Sequence, residues 1–289
     1  MEMLLLKYFK KVADCQSMTR AASELRVAQP AISKMIKKLE DGLGCKVFDR
    51  QGRNVVLNDI GRILLKYANR VFDSVEGARE EINDFTQKSR KVVRVQVLAG
   101  SRLFADIASS FSKLYPDCQL QISQASRSEE DFDLRIFASS RLPRSENCRM
   151  ILKEQIVLVV PLGHPLSGRA RVRLAELQDE EFLGLEKGMG LRTMTDAYCL
   201  EEGFVPKVIC DVDNPSFLRE LLAVGMGVAF MPAVSWGRMD TERTRLLTVE
   251  EGRLVRHVNI AWRRGRYLPA MAYAFLSFVE DYYSRLQTG

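Results

Sequence analysis

The sequence has 289 residues, of which 46% are hydrophobic and 28% are charged, the composition of an ordinary globular protein with room for two or three folding units. The opening MEMLLLKYFKK lacks the features of a signal peptide, and no stretch approaches the length that spans a bilayer, so we expect a cytoplasmic protein with no membrane partner. The six cysteines form no Cys-x-x-Cys pair, and the two histidines are His164 and His257. This pattern argues against a metal site and a His-based catalytic triad, so we predict that the protein is not an enzyme and has no cofactor.

The positive charge is concentrated at one end of the chain. The net charge is +6, and residues 1–70 hold 14 Lys/Arg against 7 Asp/Glu, while the remainder is close to neutral. A basic block of this kind is typical of a protein that binds a polyanion. On charge alone, a solvated charged face explains the block equally well.

Three short helices are predicted first. Their apolar residues recur at helical spacing. These residues are Leu5, Leu6, Phe9 and Val12 in the first helix, Ala21, Ala22 and Leu25 in the second, and Ile32, Met35, Ile36 and Leu39 in the third, which ends near Gly42 or Gly44.

A hairpin and a long helix follow. Two β-like runs, Lys46–Phe48 and Val55–Leu57, flank a turn at Gln51-Gly52-Arg53. From Asp59 to Phe85, apolar residues recur every three or four positions, which predicts a helix of about seven turns. A stripe of this length needs a covering surface, and a second copy of the helix is the simplest one.

Beyond residue 91 strands alternate with helices, which favours parallel sheets covered by helices and, over this length, two lobes. The predicted strands are Val92–Leu98, Leu120–Ser123, Leu134–Ala138, Ile156–Val160, Val208–Val212, Val228–Met231 and Leu254–Trp262. The predicted helices are Leu103–Tyr115, one around Leu174, Leu191–Glu202, Ser216–Val224 and Pro269–Leu286.

The second and third helices, separated by a tight turn, form a helix-turn-helix pattern. With Ile32 and its apolar partners facing inward, the outer side of the third helix carries Pro30, Lys34, Lys37 and Lys38, with Ser33 beside them. Gln29 can pair with adenine in the major groove, and the lysines can neutralise phosphates. Arg50 and Arg53 at the hairpin tip would add contacts to the DNA backbone or minor groove. The alternative is a core helix pair with a solvated lysine face.

The first 85 residues resemble the amino-terminal domain of LysR-type transcriptional regulators. The matched positions are Phe9, Val12, Ala13, Ser17, Ala21, Ala22, Leu25, Gln29, Pro30, Ala31, Ser33, Ile36, Leu39, Glu40, Leu43, Gly44, Phe48, Arg50, Leu57 and Gly61. Further stretches resemble the family's second domain: FSKLYP from Phe111, LGHPL from Leu162, and Leu218 to Pro232. The resemblance covers the whole chain.

This resemblance implies an α/β protein with an N-terminal winged helix-turn-helix, a long linker helix and a two-lobed, Rossmann-like effector domain of the periplasmic-binding-protein type 2 class. We expect the DNA-binding domain at 1–58, the linker and dimerisation helix at 59–90 and the effector domain at 91–289, with lobe I at about 91–160 and 266–289 and lobe II at about 161–265. It implies double-stranded DNA, a small-molecule effector and RNA polymerase as partners. It also implies a homodimer through the linker helix that assembles into a homotetramer.

Three departures from the family pattern are visible. Ala28 replaces the usual Ser or Thr cap of the third helix, a loss worth about 1 kcal/mol. Asn58 replaces Thr at the start of the long helix and can still act as a cap. The chain is shorter than usual between Ile122 and Asp133, so we expect a helix of the first lobe to be missing or reduced.

The effector site is expected where strands end and helices begin, because helix N-termini present free N–H groups there. The candidates are Ser101 and Arg102 after the first strand, Gly190 and Arg192 before one helix of the second lobe, Asn214 and Ser216 before the next, and Phe230 as an apolar wall. Taken singly, the two serines are better explained as helix caps. Arg102 and Arg192 favour an anionic co-inducer, with solvated arginines as the alternative.

Other motifs argue against different functions. The pairs Gly188/Gly190 and Gly225/Gly227 lack the third glycine of a dinucleotide fingerprint. Cys199 lies where peroxide sensors of the family place one switching cysteine, but Gly190 occupies the position of the other, so a matching disulfide switch is not expected. A disulfide between Cys199 and Cys210 is left as an alternative. The competing functions are a solute-binding module whose basic domain serves only assembly, and an enzyme on an α/β sheet.

Overall fold

The computed structural model describes residues 2–51, 54–86, 91–124, 132–143, 145–237, 241–250, 254–263 and 265–288. The chain divides into two compact units: Met1–Ser89 with Gly265–Tyr267, and Arg90–Arg264 with Leu268–Gly289. None of the helices in these ranges is long and apolar enough to cross a membrane.

The first unit is a winged helix-turn-helix followed by a long helix, as the resemblance implied. Its elements are α1 (Met3–Cys15), α2 (Met18–Leu25), α3 (Gln29–Leu43), β1 (Phe48–Gln51), β2 (Asn54–Leu57) and α4 (Asp59–Phe85). Strands β1 and β2 form an antiparallel hairpin, the wing. The three short helices bury one core, in which Phe9, Ala21 and Ile32 are fully enclosed.

The ends of these helices follow from local chemistry. The Ser17 hydroxyl accepts a hydrogen bond from the backbone N of Arg20, which caps α2, and the Asn58 side chain accepts one from the backbone N of Gly61 at 2.8 Å, which caps α4. Ala28 makes no side-chain cap for α3, so the predicted loss is confirmed. Gly44 ends α3 with a φ of 70°, a conformation that glycine adopts without a Cβ penalty.

A buried carboxylate joins α3 to the wing. Glu40 accepts hydrogen bonds from the backbone N of Val47 at 3.1 Å and from the Lys46 ammonium at 2.7 Å. Because an unpaired buried carboxylate is costly, these donors hold the start of the wing against the last turns of α3.

The second unit alternates strands and helices. Its elements are β3 (Val92–Val97), α5 (Ser101–Leu114), β4 (Gln119–Ser123), β5 (Leu134–Ser139), β6 (Cys148–Pro161), β7 (Arg171–Val172), β8 (Glu181–Leu185), α6 (Gly190–Glu201), β9 (Lys207–Val212), α7 (Pro215–Ala223), β10 (Ala229–Pro232), β11 (Thr244–Val249), β12 (Val255–Trp262) and α8 (Ala270–Thr288). The helix predicted around Leu174 is a 3₁₀ turn, Leu174–Leu177, and the sequence reading missed β7, β8 and β11. The shortened stretch between Ile122 and Asp133 falls largely on residues 125–131, which lie outside the described residues.

The expectation of parallel sheets is only partly correct. One sheet runs in the order β4-β3-β5-β12-β6-β11-β7, with β10 also paired to β6, and a second sheet pairs β8 with β9. Parallel pairs join β3 to β4 and β5, β7 to β11, and β8 to β9, whereas β12 is antiparallel to both β5 and β6. The long antiparallel strands β6 and β12 therefore lie at the centre of a mixed sheet.

Two apolar cores divide the second unit into two lobes. We call first lobe the part whose core is built from β3, β5, β12, α5 and α8, and second lobe the part whose core is built from β8, β10, β11, α6 and α7. Strand β6 contributes Ile151 and Leu152 to the first core and residues 156–160 to the second. One continuous strand thus connects the two lobes.

Gly61 tests the packing of α4 against the wing. A Cβ at this position would collide with the carbonyl O of Val47 and the side chain of Leu57. We expect Gly61→Ala to lower the free energy of unfolding of the first unit by about 3 kcal/mol, because the backbone at Val47 would have to shift to admit the methyl group. Scanning calorimetry of the full chain measures this as a lower transition temperature.

Gly42→Ala is the matched control, since no atom lies within 4 Å of a Cβ built there and Gly42 is inside α3. It should raise stability by up to about 1 kcal/mol through helix propensity. Both tryptophans, Trp236 and Trp262, belong to the second unit, so the fluorescence transition should not change in either variant. Equal transition temperatures for the two variants would contradict this packing.

Candidate DNA interface and effector cleft

Helix α3 has one buried and one exposed face. Ile32, Ile36 and Leu39 lie in the core of the first unit and are at most 3% exposed. The residues predicted to contact DNA from this helix are all exposed: Gln29, Pro30, Ser33, Lys34, Lys37 and Lys38. The structure therefore brings these six residues together on solvent-facing turns of one helix.

The polar contacts on this face differ along the helix. The Gln29 side-chain amide donates to the Ser33 hydroxyl at 2.8 Å. Lys38 forms an ion pair with Glu2 at 2.8 Å, and this hydrogen bond and the lysine charge lower the pKa of Glu2. Within the described ranges, Lys34 and Lys37 have no such carboxylate partner. These two ammonium groups can therefore bind a phosphate without first breaking an ion pair inside the protein.

The wing follows directly after α3. For Arg50 the structure describes the backbone in β1 and not the side chain, and Arg53 lies outside the described residues. The backbone of the wing is positioned by the Glu40 contacts and by the hydrogen bond from Val55 N to the carbonyl O of Gln16 at 3.2 Å. The predicted contacts of both arginines with DNA stay predictions.

In the second unit, Ser101 and Arg102 open α5 directly after Gly100, which precedes the helix with a φ of 69°. Both side chains are exposed. Gly190 opens α6, and a Cβ built there would lie 4.0 Å from the carbonyl O of Ala138 at the end of β5. The amino-terminal end of α6 in the second lobe thus faces the end of a strand of the first lobe.

Asn214 and Ser216 form a helix cap. The Asn214 side chain accepts from the backbone N of Ser216 at 2.8 Å at the start of α7, and both residues are exposed. The Asn214 side chain therefore has a structural role. Ser216 is the second residue of α7 and Ser101 is the first residue of α5, where Gly100 holds the cap position, so the expectation that these two serines are helix caps is wrong.

Arg192 and Phe230 lie inside the second lobe. The Arg192 guanidinium is 8% exposed and bonds to Asp196, Asp211 and the carbonyl O of Leu185. Phe230 is 7% exposed, stacks on Phe182 and lines a cavity of about 20 Å³, which is room for roughly one water molecule. The structure does not bring these two residues together with Ser101 and Arg102.

Arg219 was missed by the sequence reading. It lies on α7, and its Nη1 donates to the carbonyl O of Trp236 at 2.9 Å. Burial and the nearby charge of Arg102 lower the pKa of Arg219. Arg102 and Arg219 therefore approach each other from different lobes. The sequence holds no signal for this pair, because the two residues are far apart in the chain and lie on separate helices.

The six cysteines are free thiols. Cys199 is fully buried, and burial together with the charge of Asp196 raises its pKa to about 12. Cys210 is partly buried in β9. Within the described residues, no group of three or more His, Cys, Asp or Glu side chains could hold a metal ion.

Two family models match the chain. The model of the LysR substrate binding domain matches residues 87–284, and the model of the bacterial regulatory helix-turn-helix protein, lysR family, matches residues 3–62. The chain belongs to the LysR family of transcriptional regulators. It is accordingly a DNA-binding regulator with an effector-binding domain.

Similar proteins agree with this assignment. The HTH-type transcriptional regulator YwbI of Bacillus subtilis (strain 168) is 30% identical over 96% of this chain and 95% of its own length. The transcriptional dual regulator GltC of the same organism is 29% identical over 99% of both chains. A full-length OxyR variant from Pseudomonas aeruginosa has the same fold, with a TM-score of 0.66 at 24% identity over 98% of this chain and 94% of that one. The two Bacillus subtilis relatives are regulators, as the prediction of a non-enzyme requires.

The burial of Cys199 predicts an unreactive thiol in this LysR-family chain. At pH 8 a group with a pKa of about 12 is ionised to roughly one part in ten thousand, and the thiolate is the reactive form. Cys199→Ser should therefore leave the number of thiols that react with Ellman's reagent in the native protein unchanged. In denaturant the same variant should lose one reactive thiol. Loss of a native reactive thiol would show that the side chain is accessible.

Proposed function

We propose that this LysR-family regulator reads a palindrome-like operator with α3 in the major groove. The support is the set of exposed residues on α3: Lys34, Lys37 and Lys38 lie opposite the buried face, and Gln29 and Ser33 are exposed on the first turns of the helix. The first turn of such a helix reaches base edges, while lysines further along neutralise phosphates. Binding chromosomal DNA would place the protein in the cytoplasm, with RNA polymerase as the expected partner at the promoter.

The salt dependence of DNA affinity distinguishes a basic domain that binds DNA from one that serves only assembly. Lys34→Ala should weaken operator binding and, by removing one phosphate contact, reduce the slope of log affinity against log salt by about one. Fluorescence anisotropy with the full chain and operator DNA at several salt concentrations measures this. Lys113→Ala, an exposed lysine on α5, is the control and should change neither quantity.

Gln29→Ala tests base reading on the same face. The Gln29 amide can form two hydrogen bonds with adenine, so the variant should lose about 1–3 kcal/mol of preference for the operator over a site with one changed base pair. Its affinity for unrelated DNA should stay the same. Unchanged affinity and preference in both α3 variants would rule out α3 as the reading helix.

We further propose that α4 forms a homodimer with the α4 of a second copy, and that dimers assemble into a homotetramer. The support is a row of exposed apolar side chains at heptad-like spacing along α4: Ile60, Ile63, Tyr67, Val71, Val75, Ile82 and Phe85. A 27-residue helix is about 40 Å long, which is enough for several turns of contact. Exposed apolar rows of this length mark interaction surfaces.

A charge in this row should dissociate the dimer. Ile63 is 60% exposed in the single chain, so Ile63→Glu should leave the fold of the first unit intact while shifting sedimentation toward the monomer at micromolar concentration. Lys66→Glu, an exposed residue of the same helix outside the row, is the matched control and should keep the assembly state of the parent protein. Equal assembly of both variants would show that α4 is not the dimer surface.

The effector is proposed to bind in the cleft between the two lobes, where α5 and α6 begin. This location is supported by the approach of Gly190 to Ala138 and of Arg102 to Arg219. Suppose that the lobes exist in an open and a closed arrangement. A molecule that contacts both lobes shifts this equilibrium only to the extent that it binds one arrangement more tightly than the other. Such a movement would alter the packing of subunits and hence the spacing of the DNA half-sites.

A further inference from the structure

The turn between α2 and α3 holds an arginine in an unusual backbone conformation. Arg26 ends α2 with a φ of 55° and a ψ of 43°, in the left-handed region. A side chain costs free energy there, because its Cβ lies close to the following carbonyl oxygen, and many helices end on glycine for this reason. Within the described ranges, Gln16 is the other residue besides glycines with a positive φ. The Arg26 side chain therefore either offsets this cost or serves a function.

Contacts inside the protein do not offset the cost. Arg26 is exposed, while its neighbours Leu25 and Val27 are partly buried against the core of the first unit. In the described part of the chain, its guanidinium has no hydrogen-bond or ion-pair partner. Glu24, the nearest carboxylate along the chain, pairs with Lys11 at 2.7 Å. The Arg26 charge therefore faces solvent without an internal counter-charge.

The backbone of the turn holds Arg26 close to the start of α3. The N–H of Arg26 donates to the carbonyl O of Ser23 at 3.1 Å, and the N–H of Val27 donates to the carbonyl O of Ala22 at 3.0 Å. These are backbone bonds, which a glycine at position 26 would make equally well. Helices α2 and α3 bury their apolar residues in one core, so the turn has a fixed position. Three residues separate Arg26 from Gln29, which is at most about 10 Å of chain.

The start of α3 has no positive charge of its own. Arg26 is the only charged residue between Glu24 and Lys34 in the sequence. Ala28 makes no side-chain cap, and the lysines of α3 begin at Lys34, in its second turn. A recognition helix enters the major groove with its amino-terminal end, and contacts to the flanking phosphates hold it there. Between residues 24 and 34, Arg26 is thus the cation available to a phosphate at that end.

We propose that Arg26 binds a DNA phosphate beside the amino-terminal end of α3. The inference rests on the proposed function and adds a contact that the sequence reading did not assign. A phosphate contact positions a protein on the duplex without reading bases, so Arg26 contributes affinity, while Gln29 contributes base preference. The same side chain that lowers the stability of the turn raises the affinity for DNA.

Arg26→Gly separates these two effects. The variant relieves the left-handed conformation, so scanning calorimetry of the full chain should show a transition temperature of the first unit that is higher by a few degrees. Fluorescence anisotropy with a random-sequence duplex of about 30 base pairs measures binding without any need for the operator sequence. The affinity should fall roughly three- to tenfold, and the slope of log affinity against log salt should decrease by about one. Weaker binding by a more stable protein cannot result from misfolding.

Three further variants isolate the charge. Arg26→Lys keeps a cation and should keep the salt slope of the parent protein, whereas Arg26→Gln keeps the side-chain length and should lose about one unit of slope. Gln16→Gly is the matched control, because Gln16 is exposed, has a φ of 49° and carries no charge. It should raise the transition temperature as Arg26→Gly does and leave the salt slope unchanged.

Two results overturn the proposal: an unchanged salt slope in both Arg26→Gly and Arg26→Gln, or an equal decrease of slope in Gln16→Gly. Lys34→Ala, measured with the same duplex, separates this inference from the proposed function. A lower slope in Lys34→Ala with parental slopes in the Arg26 variants would remove Arg26 from the interface and leave α3 as the DNA-binding helix. Absence of salt-dependent DNA binding in the parent protein would overturn both.

Discussion

The division of α3 into a buried and an exposed face is the constraint on which the rest of the first unit depends. Ile32, Ile36 and Leu39 fill the core, and burial of each such side chain contributes about 1.5–3 kcal/mol. Rotation of α3 would expose them, so the opposite face, with Lys34 and Lys37, is held toward solvent, while Gln29 is exposed at the first turn of the helix. Glu40 then ties the end of the same helix to the wing. The surface offered to DNA is therefore set by the core.

The second unit is organised around two long strands that pair at its centre. Where β6 and β12 meet, Glu154 and Arg256 form an ion pair in which both residues are at most 3% exposed, and Ser235 completes the network. Breaking such a pair leaves an uncompensated buried charge, which opposes separation of these elements. The lobes approach each other beside this centre, at Gly190 and at the loop that contacts Arg102 and Arg219. A ligand there would act on the geometry of both lobes.

Much of the fold follows from local patterns. The apolar repeat predicted α4 with the same bounds, because helical spacing of apolar residues continues from Asp59 to Phe85. The caps of α2 and α4 each depend on one side chain, Ser17 and Asn58, which is visible in the sequence. Strands β8 and β11 were missed, and the central antiparallel pairing was not predicted, because strand direction depends on contacts between distant segments. The effector residues show the same limit. The Arg192 guanidinium fits beside Gly184 because this residue has no side chain, and only the tertiary structure shows that the two are neighbours. The exposed lysines of α3, in contrast, could be predicted from helix periodicity.

The most direct test of the central claim is photo-crosslinking from α3. An aryl azide attached to the exposed position 33 of a Ser33→Cys protein, with the partly exposed Cys45, Cys148 and Cys210 replaced by serine, would be activated in the presence of operator DNA. The same label on a Ser110→Cys protein, on α5, provides the comparison. The account predicts crosslinks to operator bases from position 33 and none from position 110. Crosslinks from position 33 to another protein chain, with none to DNA, would contradict it.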